Sequence, residues 1–274
     1  MSRSVGSVTE TRQRALPTDR RRQVWVTVCF VAGIVGVLFG VGVLGERVEE
    51  SPGGDLAADA TLLAPASPAF SIWTVIYLGL TAYTVYQWLP EQATDRRHRA
   101  IGGLAGVSML LNAAWLLVTQ QGWIWVSVAV ILALAAVLVR LVFLLQTTPS
   151  YGIAETLMVD LTFGLYLGWV LAASGANVGA ALSSSNAGPG RWTAIALIVV
   201  VTIVGAALLR LFSGRFAVAG ALAWGLGWIA IGRLFDEPSD ALVGIVAAVC
   251  AVVILAVAWT SQERRAVIDD RIAI

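Results

Sequence analysis

Pro65-Ala66-Ser67-Pro68-Ala69-Phe70-Ser71-Ile72-Trp73-Thr74-Val75-Ile76-Tyr77 is the stretch whose reading decides the fold. Two prolines precede an apolar run that continues to about Trp88. Proline is at home in the first turn of a helix, where its missing N–H has no partner to lose. The stretch therefore reads as the start of a membrane helix. Phe70, Trp73 and Tyr77 follow at i, i+3 and i+7, which sets three rings on one helical face. Such a face is either a packing seam or one wall of a pocket, and this stretch alone leaves both open.

Working outward, the chain has 274 residues, of which 58% are hydrophobic and 13% charged. The mean hydropathy is +0.81. A soluble domain of this length could not hide so much apolar surface, whereas a polytopic membrane protein requires it. Further apolar runs of bilayer length lie at 24–45, 67–89, 100–120, 123–146, 152–175, 191–212, 214–235 and 240–261. Each is near the roughly 20 residues that a spanning helix needs. The expected fold class is thus an all-α polytopic membrane protein with eight transmembrane helices. In the first run Gly36 and Gly40 form a small-xxx-small pair that permits close helix approach. The breaks at Gln120-Gln121-Gly122 and Ser213-Gly214 read as tight turns. The neutral, Ser/Gly-rich stretch 176–190 reads as a linker dividing five helices from three.

All 18 basic residues are arginine. With the N-terminus inside, every arginine except Arg47, Arg191 and Arg233 falls on the cytoplasmic side, as the positive-inside rule requires. The expected location is a cell membrane crossed many times, with both termini cytoplasmic. Residues 1–23 form an Arg-rich tail and 263–274 a second tail. The apolar run after the first tail is too long for a signal peptide and is read as a retained helix. Net charge is +1, which gives no reason to expect nucleic acid as a partner. Cys29 and Cys250 both fall in apolar runs and support neither a disulfide framework nor a metal site. The one histidine, His98, is read as lying in a charged loop, so no metal site is expected.

Trp73, Trp115, Trp169, Trp224 and Trp228 lie deep in their spans, where a buried indole N–H needs an acceptor. The third span carries Ser108, Asn112, Trp115 and Thr119 on one face. The fifth carries Tyr166, Trp169, Ala173 and Asn177 on one face. Intramembrane asparagine is costly unless its amide is paired. Under the orientation above, the second, third and fifth spans deliver rings and amides to one level in the outer half. That arrangement suits either a pocket for a flat apolar ligand or interhelical packing.

On these residues the chain resembles the TspO/MBR family of tryptophan-rich sensory and translocator (peripheral benzodiazepine receptor-like) proteins. Pro68 to Tyr77 looks like the family's Pro-rich, Trp-containing start of its second helix. Leu111-Asn112-Ala113-Ala114-Trp115 matches Leu-Asn-x-x-Trp in its third. Tyr166-Leu167-Gly168-Trp169, with Ala173 and Asn177, matches its fifth. Gly122-Trp123 falls where the family turns into its fourth helix. Order and spacing agree over roughly 24–180. The chain departs from the family in the Phe70–Trp73 spacing, in a tryptophan-free loop 46–66, in Ser127 near the place of a usual acidic residue, and in helices 191–261, which have no counterpart in five-helix members. The resemblance implies a TspO-like five-helix bundle at 24–180 with a three-helix extension at 181–262. It also implies a pocket under the first loop for porphyrins and similar hydrophobic molecules.

The expected ligand-binding residues are Phe70, Trp73, Tyr77, Asn112, Trp115, Tyr166, Trp169, Ala173 and Asn177, with loop 46–66 as a lid. No cofactor is required, and a porphyrin is the ligand the resemblance suggests. The expected partners are the lipid bilayer, a hydrophobic small molecule and, as an open alternative, a second copy in a homodimer. Secondary transport is the runner-up function, although inverted repeats, broken helices and intramembrane acids are scarce. Porphyrin-directed enzymology is the third. No His cluster, paired carboxylates, nucleophile elbow or phosphate loop is present, so no catalytic residue is expected. Arg140 and Asp160, each inside a span at similar depth on antiparallel neighbours, are expected to pair as a structural ion pair. The alternative is that Arg140 snorkels and Asp160 bonds elsewhere.

Overall fold

Pro17 opens the first helix in the position that proline tolerates, and Asp19 accepts the Leu16 N–H beside it. In the computed structural model the described residues are 16–40, 57, 59–148, 150–185, 190–213 and 215–272. Among them the helices are α1 (Pro17–Gly40), α2 (Ile72–Tyr86), α3 (Arg96–Gln120), α4 (Ile124–Gln146), α5 (Ile153–Ser184), α6 (Arg191–Leu211), α7 (Phe216–Phe235) and α8 (Ala241–Ile272). No strand occurs among the described residues. A 3-10 turn, Ser67–Ser71, leads into α2. All eight helices are long and apolar enough to cross a membrane. Their outward faces suit lipid: Val24, Val28, Val31 and Val35 are exposed along one side of α1, and Ile245, Val249 and Val252 along α8.

Three boundaries differ from the sequence reading, each for a local reason. α1 begins at Pro17, so the Arg-rich tail ends as helix, with Asp19 paired to Arg99 at 2.7 Å. α3 begins at Arg96 because Asp95 caps it, accepting the N–H groups of Arg97 and His98 at 2.7 and 3.1 Å. His98 is therefore a buried residue in a first turn, not part of a loop. α5 runs to Ser184, so most of the expected linker is helical. Its small residues allow this: a Cβ on Gly175 would meet Val201, and one on Gly179 would meet Leu63. The turn at Gly122 is as expected, with φ 67°. Ser213 takes φ 54°, and its neighbour Gly214 lies outside the described residues.

α5 is the central helix, packed against α2, α4, α6 and α7. It is buried on nearly every side, as a helix with no polar face should be. Near its start, Thr156–Leu161 is a π-helical segment that contains Asp160. α1 packs on α3, α3 on α4, and α8 on both α6 and α7. Close approach of α5 and α7 rests on small residues. A Cβ on Gly164 would stand 2.6 Å from that of Ala217, and one on Gly168 would collide with the Val218 carbonyl. The three C-terminal helices thus wrap the middle of the bundle.

Candidate functional site

The aromatic layer forms where α2, α3 and α5 meet. Trp73 stacks on Tyr77 with centroids 5.2 Å apart and meets Tyr166 and Trp169 edge-on at 6.0 and 6.1 Å. Phe70 meets Trp169 edge-on at 5.8 Å. Offset and edge-on contacts of this kind are the favoured aromatic geometries. The polar groups among the rings are mostly paired. Asn112 Nδ2 donates to the Tyr77 hydroxyl at 3.1 Å, and the Tyr166 hydroxyl donates to the Ser108 carbonyl at 3.1 Å. Trp115 Nε1 donates to Asn177 Oδ1 at 2.8 Å, and Asn177 Nδ2 donates to Ser127 Oγ at 2.9 Å. Ser127 thus does for Asn177 what an acceptor on α4 must do, which sequence spacing alone could not reveal.

A small cavity of about 40 Å³ lies beside this layer. Phe70, Trp115, Trp169, Ala173 and Asn177 line it, as the sequence reading expects. Trp73, Tyr77, Asn112 and Tyr166 do not line it. They interdigitate in the packed layer next to it: Trp73 packs on Tyr77 and Tyr166, and Asn112 Nδ2 is taken up by the Tyr77 hydroxyl, although Asn112 Oδ1 is left without a partner. Thr61, Ala64, Pro65, Ala172 and Ala176 complete the lining together with Gly225 and Ile229 of α7. Of the loop expected as a lid, residues 46–56 and 58 lie outside the described residues. Its last residues do cover the cavity, and they are tied to α7. Ala66 N–H donates to the Trp228 carbonyl at 3.2 Å, Trp224 Nε1 to the Ala69 carbonyl at 2.9 Å, and Arg233 Nη1 to the Thr61 carbonyl at 2.9 Å.

One polar group in the lining has no partner. Trp169 is 2% exposed, and its indole N–H finds no acceptor. Such a donor costs about 1–3 kcal/mol when left unmade, and it stands in the wall of the cavity. The sequence reading missed the contribution of α7. Trp224 and Trp228 at i, i+4 among glycines mark a face that packs closely on another helix, which places α7 against the core but does not say that it lines a cavity.

The expected Arg140–Asp160 pair does not form. Arg140 lies on an exposed face of α4, with its guanidinium 5.6 Å from the Phe143 ring centroid. Asp160 Oδ1 instead accepts from Arg97 Nη2 at 2.8 Å and Arg215 Nη1 at 2.6 Å, and Glu155 lies 2.9 Å from Arg97 Nη1. Depth matched, but the face of α4 that carries Arg140 turns away from α5.

These observations define a multi-pass helical membrane protein with an aromatic, amide-pinned layer and a small apolar cavity between the segment that leads into α2 and helices α3, α5 and α7. A family model for TSPO-like proteins matches residues 23–260, and the chain belongs to that family. The match runs on through α6 and α7 and into α8, so most of the part read as an extension lies within the matched region. No curated protein and no solved structure matches the chain.

Proposed function

We propose that this protein binds a planar, largely apolar ligand of the porphyrin type in the cavity between the segment that leads into α2 and helices α3, α5 and α7. The observation that carries this reading is the unpaired, buried Trp169 N–H in the wall of an otherwise apolar, ring-lined space. A ligand with an acceptor atom would satisfy that donor, and Phe70 and Trp115 would supply stacking area. The cavity as it stands has room for little more than a water molecule. A drug-sized ligand needs ~300 Å³ or more. Binding therefore requires the strap Thr61–Ala66 to lift from α7, breaking its bonds to Trp228 and Arg233. No side chain in the lining is a ready general acid or base, so the reading is binding, not catalysis.

The test is quenching of tryptophan fluorescence when protoporphyrin is titrated into the full-length protein in detergent. Trp169→Phe removes the donor and keeps an aromatic ring, though a smaller one, and should weaken binding about tenfold (roughly one hydrogen bond). Ala173→Leu fills the space and should abolish it. Unchanged affinity in both folded variants would overturn the reading.

A further inference from the structure

We propose that Asp95, His98 and Glu155 form a binding site for one divalent first-row transition ion at the Arg-rich end of the bundle, apart from the aromatic cavity. The three side chains each bring one ligand atom, and these atoms lie within 4.8 Å of one another. Asp95 and His98 come from the N-terminus of α3 at i, i+3, and Glu155 comes from the first turn of α5, just before the π segment.

The acids alone would not argue for a site. The second observation is His98. It is 1% exposed, and neither ring nitrogen has a hydrogen-bond partner. A buried imidazole ordinarily donates from one nitrogen and accepts at the other. Here both edges are unmet, while carboxylate oxygens from two elements stand near. The ring plane is fixed: Tyr83 stacks on it at 5.6 Å with 11° between planes, and Tyr86 packs at 5.6 Å. Orientation of this sort is what a ligating histidine needs.

The surrounding charges leave the necessary atoms available. Asp95 Oδ1 already accepts the helix N–H groups of Arg97 and His98, so Oδ2 is the oxygen left for a cation. Glu155 Oε2 accepts the Tyr151 N–H at 2.7 Å, which holds the carboxylate in place. Arg97 is the competitor, 2.9 Å from Glu155 Oε1. It is also held through Nη2 by Asp160, so it stays paired when Glu155 turns to a metal. One imidazole with two carboxylates suits Zn²⁺ or a neighbouring ion. Around such an ion, with bonds of ~2.1 Å, ligand atoms stand ~3–4 Å apart. Side-chain rotation of modest size closes the observed group to that spacing, with water completing the shell.

The experiment uses full-length protein in detergent, freed of metal by chelator and then titrated with Zn²⁺ by calorimetry and with Co²⁺ by visible absorption. The expected result is one Zn²⁺ per chain and Co²⁺ ligand-field bands, with affinity falling at least tenfold in His98→Gln and in Glu155→Gln. Trp169→Phe should leave Zn²⁺ binding unchanged, which separates this site from the ligand cavity. Should His98→Gln fail to fold, Glu155→Gln carries the comparison. Absence of stoichiometric binding to the wild-type protein, or binding that persists unaltered in the folded variants, overturns the proposal.

Discussion

Asp160 is the residue on which the Arg-rich end turns. One carboxylate oxygen holds two guanidiniums, one from α3 and one from the connection between α6 and α7. Arg97 is nearly fully buried, so removal of its partner leaves a charge with reduced compensation. Asp160→Asn should destabilise the protein by about 3 kcal/mol, the low end for breaking a buried pair from one side. Arg140→Gln, on an exposed face, should change stability by no more than about 0.5 kcal/mol. Denaturation of both variants in one detergent checks the contrast, and equal losses would restore the pairing expected from depth. The difference shows what depth can and cannot say. Rise per residue gives a level along the membrane normal, but the partner is chosen by the rotation of each helix about its axis. The same limit applies to the ring layer. Periodicity correctly groups Trp73, Tyr77, Asn112 and Tyr166 on inward faces, yet only side-chain packing decides that they fill space and do not line it.

Among the elements, the α5–α7 seam is set by glycine. Gly168→Ala would drive a methyl group into the backbone carbonyl of Val218, which has no flexible end to move aside. The expected cost is about 1–3 kcal/mol, typical of overpacking. Gly227, on the same α7, faces open space where a methyl group would stand, and Gly227→Ala should be neutral or slightly stabilising through helix propensity. Thermal unfolding of the two variants distinguishes a packing seam from a general need for flexibility. At the other end, Asp240 joins α6 to α8. It accepts from Arg191 Nε at 2.7 Å and from the Val243 N–H at 3.2 Å. The Arg191 guanidinium holds its carboxyl below the ordinary 3.8. A folded-state value below the unfolded one means that the stabilisation is present above the ordinary range and lost as pH falls through the folded value. The gap in melting temperature between wild type and Asp240→Asn should therefore be full at pH 7 and shrink below about pH 4.

At the scale of the whole molecule, the bundle at 24–180 and the extension at 181–262 pack against one another through α5 and α7. α7 supplies two lining residues and the anchors of the strap, and α5 buries its small-residue face on it. A chain ending at residue 185 should lose the monodisperse, protease-resistant state expected of the full protein in detergent. A truncated chain that elutes as one species and resists protease would show that the first five helices stand alone. The number and placement of helices were legible because each run is long, apolar and bounded by charge or turn residues. Their mutual arrangement was not, since a lipid-exposed helix and a buried one both read as apolar throughout. The inward placement of α7 is visible only in its glycines and in the tryptophans between them.

The π segment in α5 has a consequence for both ends of the protein at once. A π turn holds one residue more than an α turn closes with, and each residue in an α-helix advances the face by about 100°. Upstream of the segment, Glu155 faces Arg97. Downstream, Trp169 and Asn177 face the cavity. The extra residue works like a leap day in a calendar, reconciling two counts that would otherwise drift apart. Deleting one residue within 156–161 would make the helix regular and would also put its two functions out of step. A deletion variant could keep its charges paired or its rings in place, but not both.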